Sequence, residues 1–199
     1  MKLSKYEKKM RKAVKKIAKL LGKRGFTSGM LSSVSHCLDS DRFQVSPKGV
    51  YLRKLKKKMV VTVDGSGNPI YSRYGWQPTE NLPLHLDVYQ LRGDANAILH
   101  AHPPYLSALG LAVDKLDFSR LPVSLHVLGD KLQMEELHTQ PEEVSPALSN
   151  ALTNGNIVLL PGDGVLVVGR SLDHAFAQLE QMEHDAQVYV IAQSAGLLQ

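Results

Sequence analysis

The chain has 199 residues, 43% of them apolar, enough for a sizeable core in one domain spanning residues 1–199. No apolar run approaches twenty residues, no hydrophobic N-terminal segment carries a cleavage site, and Cys37 is the single cysteine. We therefore expect a cytoplasmic protein with no membrane span, no secretory signal, no internal disulfide and no cysteine-built zinc site. The net charge of +5 hides a polarity: residues 1–58 hold 18 Lys+Arg against 3 Asp+Glu, and residues 59–199 hold 6 against 16.

Leu3, Tyr6, Met10, Ala13, Val14, Ile17, Leu20 and Leu21 recur at helical spacing with lysines between them. They predict a basic amphipathic helix over residues 3–24, ending at Gly22 or Gly25. Such a helix suits an anionic membrane, a nucleic acid or an anionic substrate, and it equally suits docking on a core with a solvated lysine face. We favour docking and expect no specific nucleic-acid partner, because lysine runs attract polyanions without selectivity.

Thr27 to Ser35 reads as a small-residue loop entering short strands at Val34–Cys37 and Arg42–Val45, with Ser46-Pro-Lys-Gly49 a second loop. Met59–Val63, the turn Asp64-Gly-Ser-Gly67 and the segment after Pro69 read as a hairpin. Further on, a helix is predicted at Asn81–Leu91, a strand at Ala97–His102, a helix at Tyr105–Ala112 and a strand at Val123–Leu128. Glu142–Thr153 is predicted helical, with Thr139 as its cap and Pro141 near the first turn. Strands at Ile157–Leu160 and Val165–Val168 flank Pro161-Gly-Asp-Gly164. A closing helix runs from its cap Ser171 to about Ser194, with Ala175, Leu179, Met182, Ala186 and Tyr189 as its buried stripe. Helices interleaved with hairpin-joined strands predict a three-layer α/β/α domain with a mixed, mostly antiparallel central sheet. No glycine-rich phosphate loop opens a helix, so a nucleotide cofactor is not supported.

The chemistry-bearing stretch is Arg92–His102. In a strand, His100 and His102 point to the same face and can reach one ion together, and Pro103 and Pro104 end the strand beside them. Glu80 lies just before the helix carrying His85, and Asp163 sits between two glycines. Two imidazoles with one or two carboxylates form a ligand set for zinc, manganese or ferrous iron. Asp163 is equally readable as a plain turn residue, since Asp-Gly is a common hairpin pair.

These segments together resemble the class II aldolase/adducin family, typified by the fuculose-phosphate aldolases. The resemblance is carried by Thr27–Ser33, Ser46–Gly49, Pro78-Thr-Glu80, Arg92–His102, Leu159–Gly169 and the closing helix. It implies a three-layer fold assembled as a cyclic homotetramer with active sites between subunits. It also implies a divalent metal, usually Zn2+ with Mn2+, Fe2+ or Co2+ as alternatives, and reversible aldol cleavage of a sugar-phosphate substrate. Epimerisation or dehydration on the same scaffold, and a non-catalytic adducin-like binding role, are the alternatives.

Residue by residue, the resemblance implies that His100 and His102 ligate the metal and that Asp163 stands where the family has a third histidine. Glu80 corresponds to the acid/base carboxylate. Gly29, Ser32, Ser46, Lys48, Gly49 and Thr79 occupy the phosphate-binding places. The chain departs from the family pattern at Met30 and Pro78, and one extra residue stands between Glu80 and His85.

Overall fold

The computed structural model describes residues 3–111, 132–134 and 146–197. Helix α1 spans Lys5–Arg24. Its N-terminus is a reciprocal capping box, in which Glu7 N–H donates to Ser4 Oγ and Ser4 N–H donates to the Glu7 carboxylate. Gly25 closes it in the left-handed conformation at φ 77°, which glycine adopts without steric cost. Val14, Ile17, Ala18 and Leu21 are buried, so the basic helix docks on the core. Arg11 is buried as well, and its guanidinium donates to Val60 O, Lys57 O and Thr62 Oγ1.

The strands are β1 Ser33–Asp39, β2 Arg42–Val45, β3 Val61–Asp64, β4 Pro69–Tyr71 and β5 Ala97–Ala101, followed by β6 Leu132–Met134, β7 Ile157–Leu160 and β8 Gly164–Gly169. They form one sheet in the order β4-β3-β2-β1-β5-β8-β7-β6. Only the β6–β7 pairing is parallel among the described strands. The remaining helices are α2 Leu82–Leu91, α3 Pro104–Gly110, α4 Pro146–Asn154 and α5 Leu172–Ser194.

Alternation along β5 divides the layers. Ala97, Leu99 and Ala101 face a cluster built with α1, α3 and α5, whereas Ile98 faces one built with α2 and α4. This is the three-layer α/β/α architecture expected from the sequence. β5 is one residue shorter than predicted, because His102 N–H leaves the ladder for Phe26 O at 2.9 Å. The strand at Leu132–Met134 was not foreseen. The predicted strand Val123–Leu128, the cap Thr139 and the first residues of the Glu142–Thr153 helix lie outside the described residues.

Candidate metal centre

β5 lies centrally, hydrogen-bonded to β1 and β8, with His100 opposite Ser33 on one side and Leu166 on the other. His100 and His102 therefore project from the middle of the sheet to the same face, with ring centroids 5.0 Å apart. The turn joining β7 to β8 brings Asp163 to them. Asp163 N–H donates to Leu160 O at 2.8 Å across Pro161-Gly162, and Gly162 has φ 80°. Proline followed by a positive-φ glycine is the pattern of a type II turn. Gly164, at φ 83°, then passes so close to β5 that a Cβ there would lie 2.2 Å from Ala101 O.

The result is a cluster. His100 Nε2 lies 3.4 Å from Asp163 Oδ2 and His102 Nε2 lies 3.5 Å from Asp163 Oδ1. One potential ligand atom from each of the three residues lies within 4.8 Å of the others. The His102 side chain is 11% exposed and that of Asp163 48%, so the cluster has one open side. Burial pushes the His100 imidazole below the usual range, partly offset by Asp163. Burial alone would raise the Asp163 carboxyl, but the imidazoles of His102 and His100 beside it hold it below the usual range.

His102 Nδ1 lies 2.9 Å from Ser32 Oγ, while its buried Nε2 makes no hydrogen bond. A buried polar atom without a partner is costly unless something fills the space in front of it. Two imidazoles and a carboxylate are donor types that a divalent metal takes, so the residues fit one. Beside His102 opens a cleft of 400 Å³ lined by Ser28, Pro104, Ser107, Ala108, Leu111, Gly162 and Gly164. That is large enough for a small substrate.

The other residues singled out in the sequence lie on the surrounding loops. Ser46–Gly49 and Gln77–Glu80 are paired by Lys48 N–H to Gln77 O and Thr79 N–H to Ser46 O, both 3.0 Å. Ser46 is fully buried and its Oγ accepts Val34 N–H at 3.1 Å. Lys48 and Glu80, with side chains 56% and 70% exposed, form an ion pair at 2.6 Å. Glu80 thus points at Lys48, not at the histidines. Gly29 and Gly49 take positive φ and face open space.

The residue on His100 is Asn81, expected from the sequence only as the start of a helix. Its Nδ2 lies 2.6 Å from His100 Nδ1, 3.0 Å from Leu31 O and 3.2 Å from Ser33 Oγ. The extra residue between Glu80 and His85 was the available signal, since it shifts by one which residue faces the cluster. His85 lies beneath, fully buried, with Nε2 2.8 Å from Ser33 Oγ and Nδ1 2.6 Å from Ser35 Oγ, and Ser35 continues to Tyr89 OH at 2.8 Å.

Comparison with known proteins agrees with this architecture. The Class II Aldolase and Adducin N-terminal domain family matches residues 12–190. The chain is 29% identical over 175 residues to the 3-oxo-tetronate 4-phosphate decarboxylase of Haemophilus influenzae, covering 85% of this chain and 81% of that protein. It is 28% identical over 177 residues to an L-fuculose phosphate aldolase of Methanococcus maripaludis, covering 88% and 94%. Among solved structures, YgbL from Klebsiella pneumoniae matches with a TM-score of 0.82 at 25% identity, over 95% of this chain and 92% of that one. With this match running through the sheet, the histidine strand and the closing helix, the chain belongs to the class II aldolase/adducin family.

Proposed function

We propose that the chain is a divalent-metal-dependent lyase that cleaves a carbon–carbon bond next to a carbonyl in a small phosphorylated hydroxy-carbonyl compound of sugar type. The observation that carries this reading is the cluster of His100, His102 and the half-exposed Asp163, with the buried Nε2 of His102 lacking a hydrogen bond, beside an open cleft. His100, His102 and Asp163 hold the ion, with zinc first and manganese, ferrous iron or cobalt as alternatives. When bound, the ion supplies Lewis-acid stabilisation of the negative charge that develops on the substrate oxygens.

The chain's own groups do the rest. The loops carrying Gly29 and Ser32, Ser46 to Gly49, and Thr79 receive the phosphate, with the Gly29 and Gly49 turns leaving the space open for it. Lys48 adds a point charge. A phosphate arriving at Lys48 competes with Glu80 for the ammonium and frees the carboxylate for proton exchange. Reversible aldol cleavage is the first reading, in line with the fuculose-phosphate aldolase relative.

Decarboxylation is the second reading, favoured by two specific observations. Glu80 is turned to Lys48 rather than to the histidines, and a relative is a 3-oxo acid phosphate decarboxylase. Loss of CO₂ from a 3-oxo acid needs no base to begin. A cyclic homotetramer with sites between subunits belongs to the same proposal.

The test is metal-reconstituted protein incubated with a panel of ketose 1-phosphates and 3-oxo acid phosphates and followed by NMR. New aldehyde supports aldol cleavage and released CO₂ supports decarboxylation. No metal-dependent turnover of any member, with His100→Ala behaving as wild type in every assay, would refute the enzyme reading.

A further inference from the structure

Asn81 stands at the N-cap position of α2 yet makes no capping hydrogen bond with its side chain. The side chain turns inward, and its contacts fix its chemistry. Leu31 O, 3.0 Å away, can only accept, so the atom facing it is the amide NH₂, which has no lone pair to offer. The same nitrogen lies 2.6 Å from His100 Nδ1. His100 Nδ1 must therefore accept, and the single proton of the neutral ring sits on Nε2. That proton has a partner, because Nε2 lies 2.8 Å from Asp163 O. His100 is locked at both nitrogens into one tautomer.

His102 is held differently. Its Nδ1 faces the Ser32 hydroxyl, which can accept Nδ1–H as readily as it can donate. Its Nε2 makes no hydrogen bond and lies 3.5 Å from Asp163 Oδ1. A metal ligand must present a lone pair, and a ligating histidine normally donates its other N–H to an acceptor behind it. His102 can meet this requirement, because its Ser32 partner is able to accept Nδ1–H. His100 does not, because the nitrogen on the Asp163 side carries the proton and the group behind it is a donor.

We propose that Asn81 is a positioning residue that sets the His100 tautomer against metal ligation and so makes metal loading of this site weak and conditional. Loading requires the proton to move to Nδ1 and the amide to turn over, presenting Oδ1 to Nδ1–H. The turned amide gives up its hydrogen bond to Leu31 O. The inference rests on the proposed function only in taking a metal as the partner of His100.

The test uses the full chain, ¹⁵N-labelled at histidine, without metal, and zinc alone as the probe in competition with a chromophoric chelator. In wild type we expect His100 Nε2 protonated and Nδ1 bare. Asn81→Asp places an acceptor behind the ring and should move the proton to Nδ1. Zinc affinity should then rise by about 10–100-fold, the range by which second-sphere partners change metal affinity. Asn81→Ala adds no charge, so tighter zinc binding there reports release of the tautomer alone.

A wild-type His100 already protonated on Nδ1 would overturn the inference, and so would folded variants that bind zinc no tighter. Tight zinc binding by wild type with Nδ1 protonated refutes the inference and leaves the metal-dependent reading standing. Zinc binding by Asn81→Asp with none measurable for wild type supports the inference and removes that reading for the native protein.

Discussion

Acid should unfold this protein through His85, and the size of the effect can be worked out. His85 is buried between two serine hydroxyls on the strand that borders the histidine cluster. Burial, and secondarily the neighbouring His100, pushes its pKa down to about 3 from an ordinary value near 6.5. The unfolded chain therefore takes up the proton first. The stabilisation is complete above pH 6.5 and is lost progressively as pH falls toward 3. At 1.36 kcal/mol per pH unit for one group, the loss from pH 6.5 to pH 5 is about 2 kcal/mol. That is a sizeable part of the roughly 5–15 kcal/mol that holds a domain together.

The assay is urea unfolding at pH 7 and pH 5 for wild type and His85→Gln, whose amide can still meet both serines but cannot titrate. The variant should lose about 2 kcal/mol less than wild type on acidification, and the residual loss in the variant reports His100 and other groups. Equal losses in the two proteins would mean that His85 titrates normally, and the packing of β1 against α2 described above would be incorrect.

Two further outcomes follow from the geometry. Gly164→Ala puts a Cβ against Ala101 O at a positive φ. It should cost at least about 2 kcal/mol and move Asp163 away from the histidines, read as a lower melting temperature together with weaker zinc binding. A variant as stable and as zinc-competent as wild type would contradict the close approach of the turn to β5. Glu80→Gln removes an exposed ion pair worth at most about 1 kcal/mol, so the melting temperature should barely change. If Glu80 exchanges the proton, kcat should fall by about 10²–10⁴-fold, and an unchanged kcat would take that role from it.

Much of the architecture was legible because it is periodic. The apolar stripe of α1, the strand Arg42–Val45 and the helix opening at Ser171 stand where the spacing and caps placed them. His100 and His102 were readable for the same reason, since a two-residue period in a strand fixes a common face. What escaped is aperiodic or distant in sequence. Glu80 and Asn81 are neighbours in a loop, where no repeat decides which side chain points inward. The choice is made by Leu31 O and Ser33 Oγ, some fifty residues away. The serine–histidine layer beneath the site likewise needs β1 and α2 brought together, which neither segment announces alone. β6 is three residues long and pairs in parallel with a strand more than twenty residues on, too short for a pattern of its own.

The most direct test of the metal centre is an anomalous-scattering map at the zinc edge, from crystals of the full chain grown with zinc in excess. We expect one ion per chain, bonded to Nε2 of His100, Nε2 of His102 and the Asp163 carboxylate. Imidazoles still held to Asp163 O and Ser32, with no anomalous peak between them, would contradict it.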